Sequence, residues 1–409
     1  MTARGVNQLE GTGAADTAPL PRRAGLISLV LCGFSPLIGL FAIGVDLPRI
    51  AGAFADSPNA TLIAQLAIGV TGLSFAVSAP LIGGLIERYG YARVYQVSLA
   101  AFAIIGVLPM MLNDLLAILL SRCVMGVAVA GSTTAGMSGI GALPAGLRAR
   151  MFGRNAIVGS IGSLIIFPVT GALAAWGWRM AFLIHLLALV ALPLSLTLPR
   201  VPVAPRDAPA ANAAAGRGRS GASPGLIATS AFVGLVMFVG PMLAPFYLAS
   251  IGVTDPKLVA LPLSIMSMGS LLMTTNYGRL HARFGTTAIF AATLFLVGCG
   301  LIGAGSSLTL PLFAASMFLS ACGTAMFVPN LGAAISAAAT GSPGRGIGFA
   351  MSAMFIMQAV LPFLAEGLRA LLGPRGIFVG LGAAAILLAI GFVLAARGRR
   401  AGFTEHIAR

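Results

Sequence analysis

Two charged residues, Asp46 and Arg122, lie inside apolar stretches, and both could take part in proton chemistry. A charge within hydrocarbon costs roughly 2.5–3.5 kcal/mol on insertion scales, so each is a functional candidate. A carboxylate can bind and release a proton, and an arginine, which keeps its own proton, can hold that carboxylate or a polar chain. We therefore predict that Asp46 and Arg122 form a proton-coupling pair. The structural alternatives are an arginine that caps backbone carbonyls and an aspartate in water at a helix end, paired with Arg49.

Further polar residues within apolar stretches could line a cavity. We predict this role for Gln65, Asn155, His185, Asn276, Asn330, Gln358 and Glu366. His185 has the alternative of packing through a hydrogen bond, and Glu366 that of pairing with Arg369 one helical turn later. Methionines such as Met266 add a soft surface that suits an apolar or amphipathic compound.

The sequence shows no pattern typical of an enzyme. It contains no phosphate-binding loop, no nucleophile–base set and no spaced metal ligands. Its four cysteines, at 32, 123, 299 and 322, all lie in apolar stretches and have no metal-like spacing. We predict no enzymatic activity, no cofactor and no metal, so any work would draw on ion gradients rather than ATP.

The composition indicates an all-α membrane protein. Hydrophobic residues make up 58% of the 409 residues, charged residues only 9%, and the mean hydropathy is +0.98. About 20 apolar residues span a bilayer as a helix. Twelve such spans are predicted, at 25–45, 60–82, 94–112, 115–139, 152–174, 180–198, 226–250, 258–278, 287–304, 308–337, 347–369 and 376–396.

The basic residues alternate with the spans. Nineteen of the 25 Lys and Arg residues fall on the side that carries both termini, which by the positive-inside rule predicts cytoplasmic termini in an inner membrane. The net charge of +15 is thus explained by membrane topology, and we predict no binding to nucleic acid.

A basic, glycine-containing segment occurs twice, each time between two apolar spans. The first copy carries Gly83, Leu85, Glu87, Arg88, Gly90 and Arg93, and the second carries Gly278, Arg283 and Gly285. Gly83 and Gly278 are 195 residues apart, close to half the chain. Such an internal repeat predicts two parallel halves of six helices each.

These segments resemble the signature of the major facilitator superfamily between its second and third helices. Glu87 replaces the usual aspartate, Tyr91 and Ala92 replace two basic residues, and Ala282 takes the acidic position of the second copy. The resemblance implies a conformational latch at the first copy and a weaker one at the second.

Two further motifs are similar to those of the drug/proton antiporter branch of that family. Arg122 and Gly126 match its second motif, whose arginine is implicated in proton transfer, although Met125 replaces a frequent glutamine. Pro168 and Gly171 match a third, antiporter-associated motif that serves helix packing, while Phe167 and Ala172 depart from it. An ordinary kinked helix is the alternative there.

The predicted organisation is a disordered tail at 1–24, a six-helix bundle at 25–200, a linker at 201–224, a second bundle at 225–396 and a tail at 397–409. The resemblance implies export of small, lipophilic organic compounds by proton antiport, with uptake of a small metabolite as the alternative. The expected partners are the lipid bilayer, protons and the small-molecule substrate, and we expect a monomer.

Overall fold

A computed structural model of the chain describes residues 21–199, 222–338 and 343–407, and all regular structure in these ranges is helical. Two long segments, Pro256–Ser306 and Pro343–Ile407, each contain a glycine with non-helical backbone, Gly285 and Gly373. Division at these glycines gives twelve helices. They are α1 Arg23–Ala53, α2 Ala60–Tyr89, α3 Tyr91–Met110, α4 Leu115–Gly141, α5 Ala145–Ala175, α6 Trp178–Ser195, α7 Pro224–Ser250, α8 256–284, α9 286–306, α10 Leu310–Ala338, α11 343–372 and α12 374–407.

The predicted spans are all present as helices, but several are longer than predicted. Helix α2 runs to Tyr89 rather than to 82, and α5 begins at Ala145 rather than at 152. The apolar block measures only the hydrocarbon thickness, whereas a helix continues through polar residues until a turn stops it. For the same reason α12 continues to Ile407, beyond the predicted end at 396. Most of the predicted N-terminal tail and linker lies outside the described residues.

The two halves, α1–α6 and α7–α12, repeat the same turns. Gly90 between α2 and α3 has φ 81° and ψ 149°, and Gly285 between α8 and α9 has φ 74° and ψ 171°. Gly177 between α5 and α6 and Gly373 between α11 and α12 also have positive φ. Only glycine adopts this backbone without strain. The two halves therefore have glycines at equivalent turns.

The helix ends define two faces of the molecule. The basic face carries the turns at Gly90 and Gly285, and the far face carries the turns at Gly177 and Gly373. Close contacts between the halves lie toward the far face. A methyl group added to Gly171 of α5 would stand 2.7 Å from the carbonyl oxygen of Pro256, and one added to Gly44 of α1 would stand 2.6 Å from that of Pro241.

Helix α1 is irregular at its centre. A π-helical turn at Leu37–Phe41 is followed directly by 3-10 geometry at Ala42–Asp46. Pro36 precedes this stretch and Pro48 follows it, and each removes a backbone donor. Irregular backbone at membrane depth is tolerated where protein or a cavity surrounds it, and the centre of α1 does line the cavity between the halves.

Candidate functional site

A cavity of about 420 Å³ lies between the two halves near the middle of the helices. The first half contributes Phe41 of α1 and Phe167 of α5, and the second half contributes Met237 of α7 and Met266 of α8. The polar side chains on its wall are hydroxyls, those of Ser160, Ser163, Ser267, Ser270 and Thr324. No charged side chain lines it among the described residues.

None of the seven residues predicted to line a cavity lines this one in the present conformation, and their role stays a prediction. The asparagines bind backbone instead: Asn155 donates to the Val30 carbonyl at 2.9 Å, Asn330 to that of Thr286 at 2.9 Å, and Asn276 to that of Leu272 in its own helix at 2.8 Å. The physical reason is that an amide away from water needs a partner, and a neighbouring carbonyl supplies one.

The two glutamines are buried on α2 and α11. Gln358 is fully buried and its Nε2 donates to the Ile68 carbonyl across the two halves at 3.3 Å. Its amide lies on Gly72, where an added methyl group would stand 2.0 Å from Oε1. Gln65 is also buried, and the Oε1 atoms of both glutamines have no hydrogen-bond partner in the part of the chain that the structure describes. Gln358 belongs to the contact between the halves.

Glu366 lies on α11 toward the far face. Its carboxylate pairs with Arg369 at 2.6 Å, as the alternative reading of this residue predicted. Both side chains line a hollow of about 510 Å³ that also includes Gly52 and Asn59 of the first half. This hollow lies outside the central cavity.

Asp46 is buried, with only 2% of its surface exposed, at the end of the 3-10 segment of α1. Its Oδ2 lies 3.6 Å from Nη1 of Arg49, and that guanidinium also donates to the Ala174 carbonyl of α5 at 2.8 Å. Asp46 Oδ2 itself has no hydrogen-bond partner among the described residues. Its neighbours Val45 and Leu47 pack in the apolar cluster that joins both halves. The carboxyl therefore lies where the two halves are packed together, toward the far face.

Arg122 is fully buried in the first half and does not contact Asp46. Its Nη2 donates to the Ile105 carbonyl at 3.1 Å, and its guanidinium stacks 5.3 Å from the ring centre of Phe182. Asp46 and Arg122 thus have different partners in this conformation, and their joint role in proton coupling stays a prediction. The guanidinium donates to backbone carbonyls of α3, as an arginine that caps backbone carbonyls would.

His185 of α6 is the side-chain partner of Arg122, a contact that the sequence analysis did not predict. Its Nε2 lies 3.4 Å from Arg122 Nη1, and its Nδ1 lies 2.9 Å from the Phe182 carbonyl. An Nδ1–H that donates to the carbonyl leaves Nε2 as the acceptor. Gly106 makes room for the ring, since a methyl group there would stand 2.2 Å from His185 Cβ. The pair is 63 residues apart in sequence and follows no spacing rule.

The two copies of the repeated segment lie exposed at the basic face. Glu87, Arg88 and Arg93 are exposed, and no described residue forms an ion pair with them. Arg88 instead lies 5.2 Å from the ring centre of Tyr89, and Arg283 lies 5.4 Å from that of Phe284. Leu85 is also exposed, and Gly83 and Gly278 face open space. The latch role stays a prediction, and in this conformation the segment joins no ion pair.

The glycines of the other two motifs pack helices together. A methyl group on Gly126 of α4 would stand 2.4 Å from the Thr71 carbonyl of α2. Gly171 of α5 packs on Pro256 and Ala260 of α8, and so joins the halves. Pro168 lies in the interior of the same helix.

Comparison with known proteins identifies the family. The model of the Major Facilitator Superfamily matches residues 29–305, and no curated protein matches the chain. A solved D-xylose–proton symporter is similar in structure with a TM-score of 0.72 and 16% identity, covering 90% of this chain and 96% of that one.

Two other solved transporters share the fold. The peptide transporter POT in complex with sulfate has a TM-score of 0.71 and 15% identity over 94% of this chain and 97% of its own. The nucleoside transporter NupG has a TM-score of 0.69 and 15% identity over 91% and 99%. The family match over most of the chain and the two six-helix halves around a central cavity lead to one conclusion: this multi-pass membrane protein belongs to the Major Facilitator Superfamily and is a transporter, not an enzyme.

Proposed function

We propose that this transporter exports small, uncharged, lipophilic organic compounds in exchange for protons, by alternating access. The observation that carries the proposal is the central cavity, with its wall of aromatic, methionine and hydroxyl side chains. A volume of about 420 Å³ lies within the usual range of small-molecule sites, roughly 300–1,000 Å³. A charged substrate would need a counter-charge, and none lines this wall among the described residues.

Asp46 is our candidate for the proton site. Asp46 is buried where the two halves pack together, so an ionised carboxylate must be desolvated whenever the far face closes. Arg49 offsets only part of this cost, because its Nη1 lies 3.6 Å from Asp46 Oδ2. Closure of the far face is therefore linked to protonation of Asp46. By the same linkage, protons supplied at the far face favour return to the conformation in which that face is closed.

Export is the direction that we propose, with the substrate entering from the cytoplasm. If the basic face is cytoplasmic, a cavity whose close contacts lie toward the far face loads its substrate from the cytoplasm. The packing of Gly171 on α8 fits the helix-packing role of the antiporter-associated motif. Proton coupling occurs in the similar D-xylose–proton symporter, and uptake is the competing direction.

Transport in proteoliposomes would test the proposal. We would impose a pH gradient, read the internal pH with a dye and add a panel of neutral and cationic lipophiles, then sugars and organic acids. We expect proton movement opposite to that of a neutral lipophile, loss of this movement in Asp46→Asn, and no change in Asp56→Asn, which removes an exposed acid nearby. Full pH-driven transport by Asp46→Asn would contradict the coupling role, and co-directional movement of sugar and proton would favour uptake.

The cavity has its own test. Ser160→Phe places a ring in the central cavity, and Ser250→Phe places one at the exposed end of α7. We expect the first change to raise KM or alter the preferred substrate size, and the second to leave both unchanged. Equal effects of the two variants would show that this cavity does not hold the substrate.

A further inference from the structure

A second cavity, on the outer surface of the first half, has features of a lipid site. It has a volume of about 440 Å³ and is lined by residues of α2, α3 and α4. Its lining is almost wholly apolar, and the residues that open it to the surroundings include Val97 at 69% exposure and Val124 at 51%. Small residues such as Ala101 and Ala128 keep the groove deep.

One end of this groove carries a positive charge. Arg93 lines it at the basic-face end, next to Tyr89, and Arg88 lies over the Tyr89 ring at 5.2 Å. Arg93 forms no ion pair with any residue in the described ranges, whereas Arg88 follows directly on the exposed Glu87. Arg93 is therefore the cation best placed to meet an anion from the membrane.

The groove has the length of an acyl chain. It follows α3 from Arg93 to Ile105, and twelve residues of helix at 1.5 Å each span roughly 18 Å. That distance leads from the level of lipid headgroups well into the hydrocarbon layer, whose half-thickness is about 15 Å. A charged end at the membrane surface and an apolar remainder match the two parts of a phospholipid.

We propose that this groove, formed by α2, α3 and α4, binds one anionic phospholipid, with its phosphate on Arg93 and one acyl chain along α3. Attraction of an anionic headgroup by a surface arginine strengthens retention about five-fold over a zwitterionic lipid with the same chains. The second half lacks this feature, because the residue 195 positions after Arg93 is Ala288. The proposal does not rest on the identity of the substrate or on proton coupling.

Native mass spectrometry of the full chain, loaded with phosphatidylglycerol or with phosphatidylcholine of identical chains, would test the proposal. We expect preferential retention of one phosphatidylglycerol, loss of that preference in Arg93→Ala, and loss of both lipids from this site in Val97→Trp, which fills the groove. Arg283→Ala, which removes an exposed arginine from the same face of the second half, should leave retention unchanged. Added inorganic phosphate should not compete, because it cannot use the apolar groove.

Three outcomes would overturn the assignment. Equal retention of the two lipids by the unmodified chain would show that the headgroup charge does not contribute to binding. An equal loss in Arg93→Ala and Arg283→Ala would show only a general attraction to the basic face. Displacement of the lipid by inorganic phosphate would indicate an anion site without an acyl-chain groove.

Discussion

The two halves share their turns and differ in what they bury. Gly90 and Gly285 lie 195 residues apart and adopt the same positive-φ backbone, and Gly177 and Gly373 repeat the correspondence at the far face. At the position equivalent to Arg122, however, the second half has Met317, which is 1% exposed. The position equivalent to Gly106 is the equally buried Leu301.

This difference distinguishes the buried residues that the fold requires from those that are specific to the first half. The second half fills this region of its bundle with apolar side chains, so the six-helix arrangement does not require a buried guanidinium. The first half holds Arg122 with a histidine, backbone carbonyls and an aromatic ring. A buried charge within the membrane is costly, so Arg122 stays a functional candidate that the second half does not share.

The largest effect is expected when the charge is moved to the other half. Met317→Arg would bury a guanidinium among apolar neighbours with no prepared partner, and should lower the free energy of unfolding by about 3–5 kcal/mol. Thermal unfolding in detergent would measure this against Met317→Leu, a nearly volume-conserving control. A melting temperature equal to that of the control would contradict the comparison.

The reciprocal change sharpens the same point. Arg122→Met gives the first half the residue that the second half already accommodates, so the protein should fold with a melting temperature near that of the unmodified chain. If Arg122 serves coupling, pH-driven transport should nevertheless be lost. Unfolding of this variant would instead assign Arg122 a purely structural role.

A smaller effect is expected at the contact between α3 and α6. Gly106→Ala places a methyl group 2.2 Å from His185 Cβ and should cost about 1–3 kcal/mol, as overpacking usually does. In a His185→Gly background, which removes Cβ together with the ring, this cost should largely disappear, and a double-mutant cycle on unfolding would detect the change. Gly146→Ala, where the added methyl group meets nothing within 4 Å, is the control and should not destabilise.

The shared turns predict equal, moderate effects. Gly90→Ala and Gly285→Ala each force a side chain into a backbone conformation that favours glycine, and each should cost about 1–3 kcal/mol. Gly83→Ala lies within α2 in open space and should be neutral or slightly stabilising. Unequal losses from Gly90 and Gly285 would show that the two turns are not equivalent in energy.

The smallest effect concerns tyrosines that tie helices together differently in the two halves. Tyr95 donates to the Ser28 carbonyl at 2.6 Å, and the hydroxyl of Tyr247 lies within 2.9 Å of the Gly305 and Ser307 carbonyls. Tyr95→Phe and Tyr247→Phe should each cost about 1 kcal/mol, the net value of one hydrogen bond. Melting temperatures unchanged from the unmodified chain would show that these bonds add nothing to stability.

The sequence was sufficient to predict the helices and the repeat, because both depend on local properties. Apolar length sets the number of spans, and the glycines at 90 and 285 stop helices by their own backbone conformation. Helix ends were predicted too short wherever polar residues continue a helix past the apolar block, as they do before Tyr89.

The sites were less predictable, because they depend on which way each side chain points. Asn155 and Asn330 looked like cavity residues but bind neighbouring carbonyls. Ser160 and Ser163 line the cavity, although short hydroxyl side chains in apolar helices are hard to single out from the sequence. The Arg122–His185 contact joins residues 63 apart in sequence, and no helical period relates α4 to α6.

The irregular centre of α1 has a consequence for how the helix can move. The wide π turn at Leu37–Phe41 and the narrow 3-10 turn at Ala42–Asp46 are neighbours, so the excess winding of one compensates for the deficit of the other. If the wide turn migrates along the chain, the residues it passes rotate about the helix axis while both helix ends stay in place. Such a screw motion would rotate Asp46 relative to Phe41, which lies on the cavity wall. A change of helical pitch would then couple the position of Asp46 near the far face to the shape of the cavity.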